Sequence, residues 1–139
     1  MKLSKFDNKL VRIIDGNNDV FEGYASYNNL DYHECEFGFK EDGLQILNYI
    51  FLNNDIKSVE VIDKFSENYG LLERLIVESG LEEIKDVFDY EDEEHKYRIL
   101  LCIEDNLEID EEVSKFLTNY LKYTNNKKII NKIKALTNS

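Results

Sequence analysis

The chain has 139 residues, with 29 Asp and Glu against 17 Lys and Arg, and a formal charge of −12 on 16.4 kDa. That length holds one ordinary domain or two small ones, and 42% apolar with 12% aromatic residues is enough for a packed core. The absence of proline, the six glycines, the lack of a long apolar run or of a signal-peptide core in residues 1–10, and a cysteine complement of only Cys35 and Cys102 argue against collagen-like, linker, membrane-spanning and disulfide-framework classes. The expected setting is a reducing cytoplasm.

Residues 9–15 (KLVRIID) have the mixed apolar content of a short strand and run into Gly16, Asn17, Asn18 and Asp19, a turn signal. Residues 20–27 (VFEGYASY) read as a second strand and residues 28–31 (NNLD) as a loop. In residues 34–40 (ECEFGFK), Cys35, Phe37 and Phe39 alternate with charged or small neighbours, which predicts a half-buried third strand with Cys35 turned inward. Glu41, Asp42 and Gly43 lead into a fourth strand over residues 44–52. Asn53, Asn54 and Asp55 then form a tight turn before a fifth strand over residues 56–62. Five short strands with brief turns predict a small barrel or strongly bent sheet.

Beyond residue 65 the apolar period changes. Leu71, Leu72, Leu75 and Ile76 mark one helix, and Ser79 with Glu82 fits a capping box ahead of Leu81, Ile84, Val87 and Phe88. Tyr97, Leu100, Leu101 and Ile103 mark a third. Asp110 is placed to cap a fourth carrying Val113, Phe116, Leu117, Tyr120 and Leu121, and Ile129, Ile133 and Leu136 mark a last short one. Polar hinges fall at Ser79 and Gly80, at residues 89–92, at residues 106–109, and at Asn125 and Asn126. A faint echo between residues 75–84 and 101–109 fits either a repeated hairpin or coincidence.

The first half resembles the Sm-like family. Residues 9–24 (KLVRIIDGNNDVFEGY) are similar to its first motif, with Phe21, Glu22 and Gly23 as the apolar-x-Gly signature, and residues 50–61 (IFLNNDIKSVEV) are similar to its second. The resemblance implies a strand bend at Gly23 and a five-stranded closed barrel. The predicted fold is therefore α+β: an Sm-like small β-barrel over residues 1–64, followed by four to five helices over residues 65–139 packed on it. Family members that bind RNA carry an Arg-Gly-type turn before the last strand, where this chain has Asn53, Asn54 and Asp55. Ring assembly by strand addition is possible on this resemblance but disfavoured, because a helical extension can cover the edge; the oligomeric state stays open.

Residues 82–112 hold fourteen carboxylates against Lys85, Lys96 and Arg98. Charge runs of this kind ordinarily face solvent or sit at helix N-termini. The functional alternative is a docking surface for a basic protein, carried by Asp89, Glu91, Asp92, Glu93, Glu94, Glu108, Asp110, Glu111 and Glu112. Tyr27, Asn28, Asn29, Asp31, Tyr32, Asn53 and Asn54 are candidate loop contacts, with Tyr27 and Tyr32 expected to be exposed. Lys127, Lys128, Lys132 and Lys134 follow without an acid among them, suited to a helix end or to pairing with the acidic stretch. No EF-hand register fits: counted from Asp86, positions 3, 5 and 6 are Phe88, Tyr90 and Glu91. His33 and Cys35 lack a second ligand pair nearby in sequence, so neither a metal nor a cofactor is expected. No nucleophile elbow or phosphate loop is present, and the negative field repels nucleic acid. The expectation is a non-catalytic acidic protein of immunity-protein or phage-inhibitor type that binds a basic partner away from membranes. The alternative is a divergent Sm-like RNA-binding regulator.

Overall fold

The computed structural model describes residues 1–66, 71–88 and 92–137. The chain divides into two compact units, Met1–Leu72 and Glu73–Ser139.

The first unit begins with a 3-10 turn, Ser4–Phe6. It continues with β1 (Leu10–Asp15), β2 (Val20–Tyr24), β3 (Ser26–Asn28), α1 (Leu30–Phe37), β4 (Gly43–Ile46), β5 (Tyr49–Leu52), a 3-10 turn Asn53–Asp55, and β6 (Ile56–Val61). The strands form two antiparallel sheets, ordered β2-β1-β6 and β3-β4-β5. Both sheets are open, so the expected five-stranded closed barrel does not form. Their inner faces meet through Phe21 and Phe51, whose ring centres lie 4.9 Å apart, beside the fully buried Val11, Ile13, Leu44 and Ile46.

Three local causes separate this arrangement from the barrel. The single strand expected over residues 20–27 breaks at Ala25, two residues beyond the bend expected at Gly23. The Ala25 N–H donates to Lys9 O at 2.9 Å and its carbonyl accepts from Asn8 N at 2.8 Å, so the chain leaves one sheet at Tyr24 and enters the other at Ser26. The expected strand over residues 44–52 is a hairpin, with Ile46 opposite Tyr49 and Leu47 at φ 53° in the turn between them. The expected third strand is the helix α1. Asn29 caps it, its side chain accepting from Tyr32 N at 2.8 Å, and Gly38 ends it in the left-handed conformation at φ 74°. These two end signals outweigh the period-two pattern. The consequence reverses the predicted faces: His33 is buried, while Phe37 and Cys35 are exposed.

The second unit is helical. α2 (Leu71–Ser79), whose first two residues belong to the other unit, is followed by α3 (Leu81–Val87), α4 (Glu93–Asn106), α5 (Glu111–Tyr120), a 3-10 turn Leu121–Tyr123, and α6 (Lys127–Thr137). The three- and four-residue apolar periods hold, and α6 packs on α4 and α5. Ile76, Ile84, Ile99, Leu100, Ile103, Leu117, Ile129 and Ile133 are fully buried. Asp110 caps α5 as expected, its carboxylate accepting from Val113 N at 2.9 Å. The Ser79 and Glu82 capping box is not made. Gly80 at φ 112° takes the N-cap position of α3, and the Ser79 hydroxyl donates back to Leu75 O at 2.8 Å.

Candidate functional site

The structure sorts the predicted acidic surface into groups that hold the fold and groups that do not. Asp89 and Glu91 lie outside the described residues. Asp92 is the N-cap of α4 and accepts from the backbone N–H of Glu94 and of His95 at 3.0 and 3.2 Å, while its second oxygen lies 3.2 Å from the buried His95 ring. Burial works hardest against the Asp92 charge, yet His95 and these N–H donors together hold its carboxyl below the ordinary value. Glu93 reaches Lys96 at 3.5 Å, and Asp110 is a cap. Outside the predicted set, Glu104 on α4 receives Lys132 of α6 at 2.7 Å, one pairing of the lysine-rich end with the acidic stretch. Glu94, Asp105, Glu108, Glu111 and Glu112 are exposed and form no ion pair with a described cation.

Of these five, Glu94, Glu111 and Glu112 stand in the first turns of helices, where the partial positive charge of the N-terminus favours them. Asp105 stands in the last turn of α4, beside carbonyls that already carry partial negative charge, and that turn has no basic residue. Glu108 follows it in the connection to α5.

The predicted loop contacts serve mainly as pins within the first unit. The Tyr27 hydroxyl donates to Asp42 at 2.8 Å, which leaves this ring half-buried rather than exposed. Asn28 donates to Gln45, Asn29 caps α1, Asn53 donates to both Asp42 and the Met1 carbonyl, and Asn54 donates to Glu41. Asp31 and Tyr32 are exposed, Tyr32 at 46%. His33 is fully buried among Phe37 and Phe39, its Nδ1 2.8 Å from the Glu41 carbonyl. Gly43 allows this approach: a Cβ there would stand 2.8 Å from the His33 ring and 2.5 Å from the Phe51 carbonyl oxygen.

A cleft of about 500 Å³ in the helical unit was not foreseen; it is lined by Lys85, Phe88, Lys96, Phe116, Asn119, Tyr120 and Tyr123. Phe88 stands edge-on to Phe116 and to Tyr120, with ring centres 5.5 and 4.8 Å away. Lys96 is buried to 7% exposure, with its ammonium 5.4 Å from the centre of the Tyr120 ring. Burial is the strongest influence on Lys96 and opposes its charge, but Tyr120 and Glu93 together lift it above the ordinary lysine value, so it stays protonated. The sequence signal was present in Phe88, Phe116 and Tyr120, but helical spacing alone reads them as core.

No group of three or more His, Cys, Asp or Glu suited to a metal ion occurs among the described residues. Cys102 is buried, and burial first, then Glu73, pushes its thiol up to about 12, which leaves it unreactive at neutral pH. No described helix is long and apolar enough to cross a membrane. No protein-family model matches the chain, and no curated protein or solved structure shows significant similarity to it.

Proposed function

We propose that this is a non-catalytic interaction protein of the cytoplasm whose helical unit docks a basic protein and blocks or shields it. The observation that carries the reading is Asp105. Folding alone disfavours a carboxylate at the C-terminal end of α4, and here it stands exposed with Glu108 next along the chain and Glu111 and Glu112 opening α5. A partner bringing lysines or arginines to this connection relieves that repulsion and is steered to it by the field of a chain at −12. The free thiols Cys35 and Cys102 suit a reducing compartment. The RNA-binding alternative rested on the barrel resemblance and is not carried forward.

The test is affinity capture on immobilised wild-type protein, compared with a variant carrying Asp105→Lys, Glu108→Lys, Glu111→Lys and Glu112→Lys. Asp92 and Asp110 are left in place so that both helix caps survive. Docking predicts a cationic protein retained by the wild type and bound at least about tenfold more weakly by the variant, mainly through slower association. Equal retention of the same protein by both would refute it.

A further inference from the structure

The geometry points to the Lys85 and Lys96 cleft as a binding site for a small organic anion: a planar or apolar body bearing a carboxylate or a phosphate. A volume of about 500 Å³ lies within the roughly 300–1,000 Å³ of small-molecule sites. The walls combine the aromatic rings of Phe88, Phe116 and Tyr120 with the polar side chains of Lys85, Lys96 and Asn119, the usual composition of such a site. Among the described residues lining it, the two charged side chains are both lysines, in a protein whose overall charge is −12.

Lys96 gives the cleft its chemical preference. A buried ammonium is costly unless its donors are met. Among the described residues its ion pair is with Glu93, 3.5 Å long and at the outer edge of hydrogen bonding, Tyr120 is its other partner, and the second Glu93 oxygen is buried with no partner among them. The ion pair is thus long, and on the carboxylate side one oxygen is left over. Lys85, on α3, is tied at 3.3 Å to Glu82, whose side chain is 87% exposed, so this tether is weak and easily exchanged for a ligand oxygen. An oxyanion between the two ammonium groups would meet donors from two helices, with Asn119 offering an amide at the same cleft. Lysine is a point charge without the fork of arginine, so the site selects for an anion and a planar body rather than for one oxyanion type.

The experiment titrates the full chain, labelled for NMR, with indole-3-acetate and with adenosine 5′-monophosphate. The uncharged counterparts indole-3-ethanol and adenosine serve as comparisons. At least one anion is expected to shift the resonances of Phe116, Asn119 and Tyr120 with a Kd of about 1 mM or tighter, the scale a few contacts provide for a ligand this small. The uncharged counterpart is expected to bind at least about fivefold more weakly. The responding anion identifies carboxylate or phosphate as the preferred group. Lys85→Gln, on a half-buried side chain, is expected to weaken binding by a similar factor; Lys96→Gln is compared with it only if its wild-type fold is retained. The proposal is overturned if neither anion shifts those resonances at millimolar concentration, if the uncharged compounds bind equally well, or if Lys85→Gln leaves affinity unchanged. Asp105→Lys and Glu108→Lys lie outside this cleft lining and are expected to leave probe binding intact, which separates failure here from failure of the docking surface.

Discussion

The two units handle charge in opposite ways. In the sheet unit, Arg12 lies on the central strand β1, opposite Glu22 of β2 on one side and Glu60 of β6 on the other. It reaches them at 2.9 and 2.8 Å, and Ser66 N donates to the remaining Glu22 oxygen at 2.8 Å. The Arg12 side chain stays one-third exposed and Glu60 is exposed, while Glu22 is buried. In the helical unit, Glu73 of α2 and Arg98 of α4 meet at 2.7 Å with side chains 0% and 5% exposed, and one Glu73 oxygen has no hydrogen-bond partner among the described residues. In the sheet network Arg12 and Glu60 can turn to solvent if a partner is lost, and the buried Glu22 keeps the Ser66 N–H. A buried pair has no such recourse, because the survivor has nowhere to be hydrated.

The largest predicted effect follows from that contrast. Arg98→Leu strands Glu73 and should cost about 3–5 kcal/mol, read as a lower denaturant midpoint. Glu73→Leu combined with Arg98→Leu should recover part of the loss, since neither of these two charges then remains buried. If the double variant is as unstable as the single, the pair is not an isolated electrostatic unit.

Next comes a steric prediction in the sheet unit. Gly43→Ala places a methyl 2.5 Å from the Phe51 carbonyl oxygen, a backbone atom of the paired strand that cannot rotate away. A loss of about 1–3 kcal/mol is expected, as overpacking gives. An unchanged midpoint would mean that β4 and β5 separate more easily than their pairing implies.

The Arg12 network should give a smaller and pH-dependent effect. Burial is the largest influence on Glu22 and raises its pKa, but Ser66 and Arg12 together bring the carboxyl below its ordinary 4.5. The sign follows: a carboxylate lowered by folding stabilises the native state above pH 4.5, and that contribution fades as pH falls through the lower native value. Glu22→Gln should therefore lower stability by about 1–2 kcal/mol at pH 7 and flatten the acid limb of stability against pH. A parallel acid limb in the variant would remove Glu22 from the network.

How much of this was legible in sequence also differs between the units. The helices are written in period: Leu100 and Ile103, or Val113 and Leu117, recur at steps that a helix brings to one face, and the structure buries them. The sheet unit is short-range and ambiguous. Residues 34–40 alternate like a strand, and only the pairing of Asn29 as cap with Gly38 as terminator reveals a helix. The break at Ala25 has no residue-type signal at all, since it arises from hydrogen bonds to Lys9 and Asn8 far back in the chain. The acidic stretch was visible as composition but not as roles. Asp92 and Asp105 look alike in sequence, yet one is a cap and the other opposes its helix. The cleft was hidden because its walls come from three helices and a turn.

That last pair gives the smallest effect and the sharpest test of what the acids are for. Asp92→Ala removes the cap of α4 and should cost about 1 kcal/mol, as N-cap losses do. Asp105→Lys should act in the other direction. It removes an anion from the negative end of the same helix and puts a cation there, a gain of about 0.3–1 kcal/mol visible as a slightly higher midpoint at low salt and a smaller rise at high salt. On the proposed docking reading, Asp105→Lys should improve stability while weakening capture of a basic partner. Should it destabilise the protein instead, Asp105 is a structural acid like Asp92, and the physical ground for placing the docking surface at the α4 to α5 connection is gone.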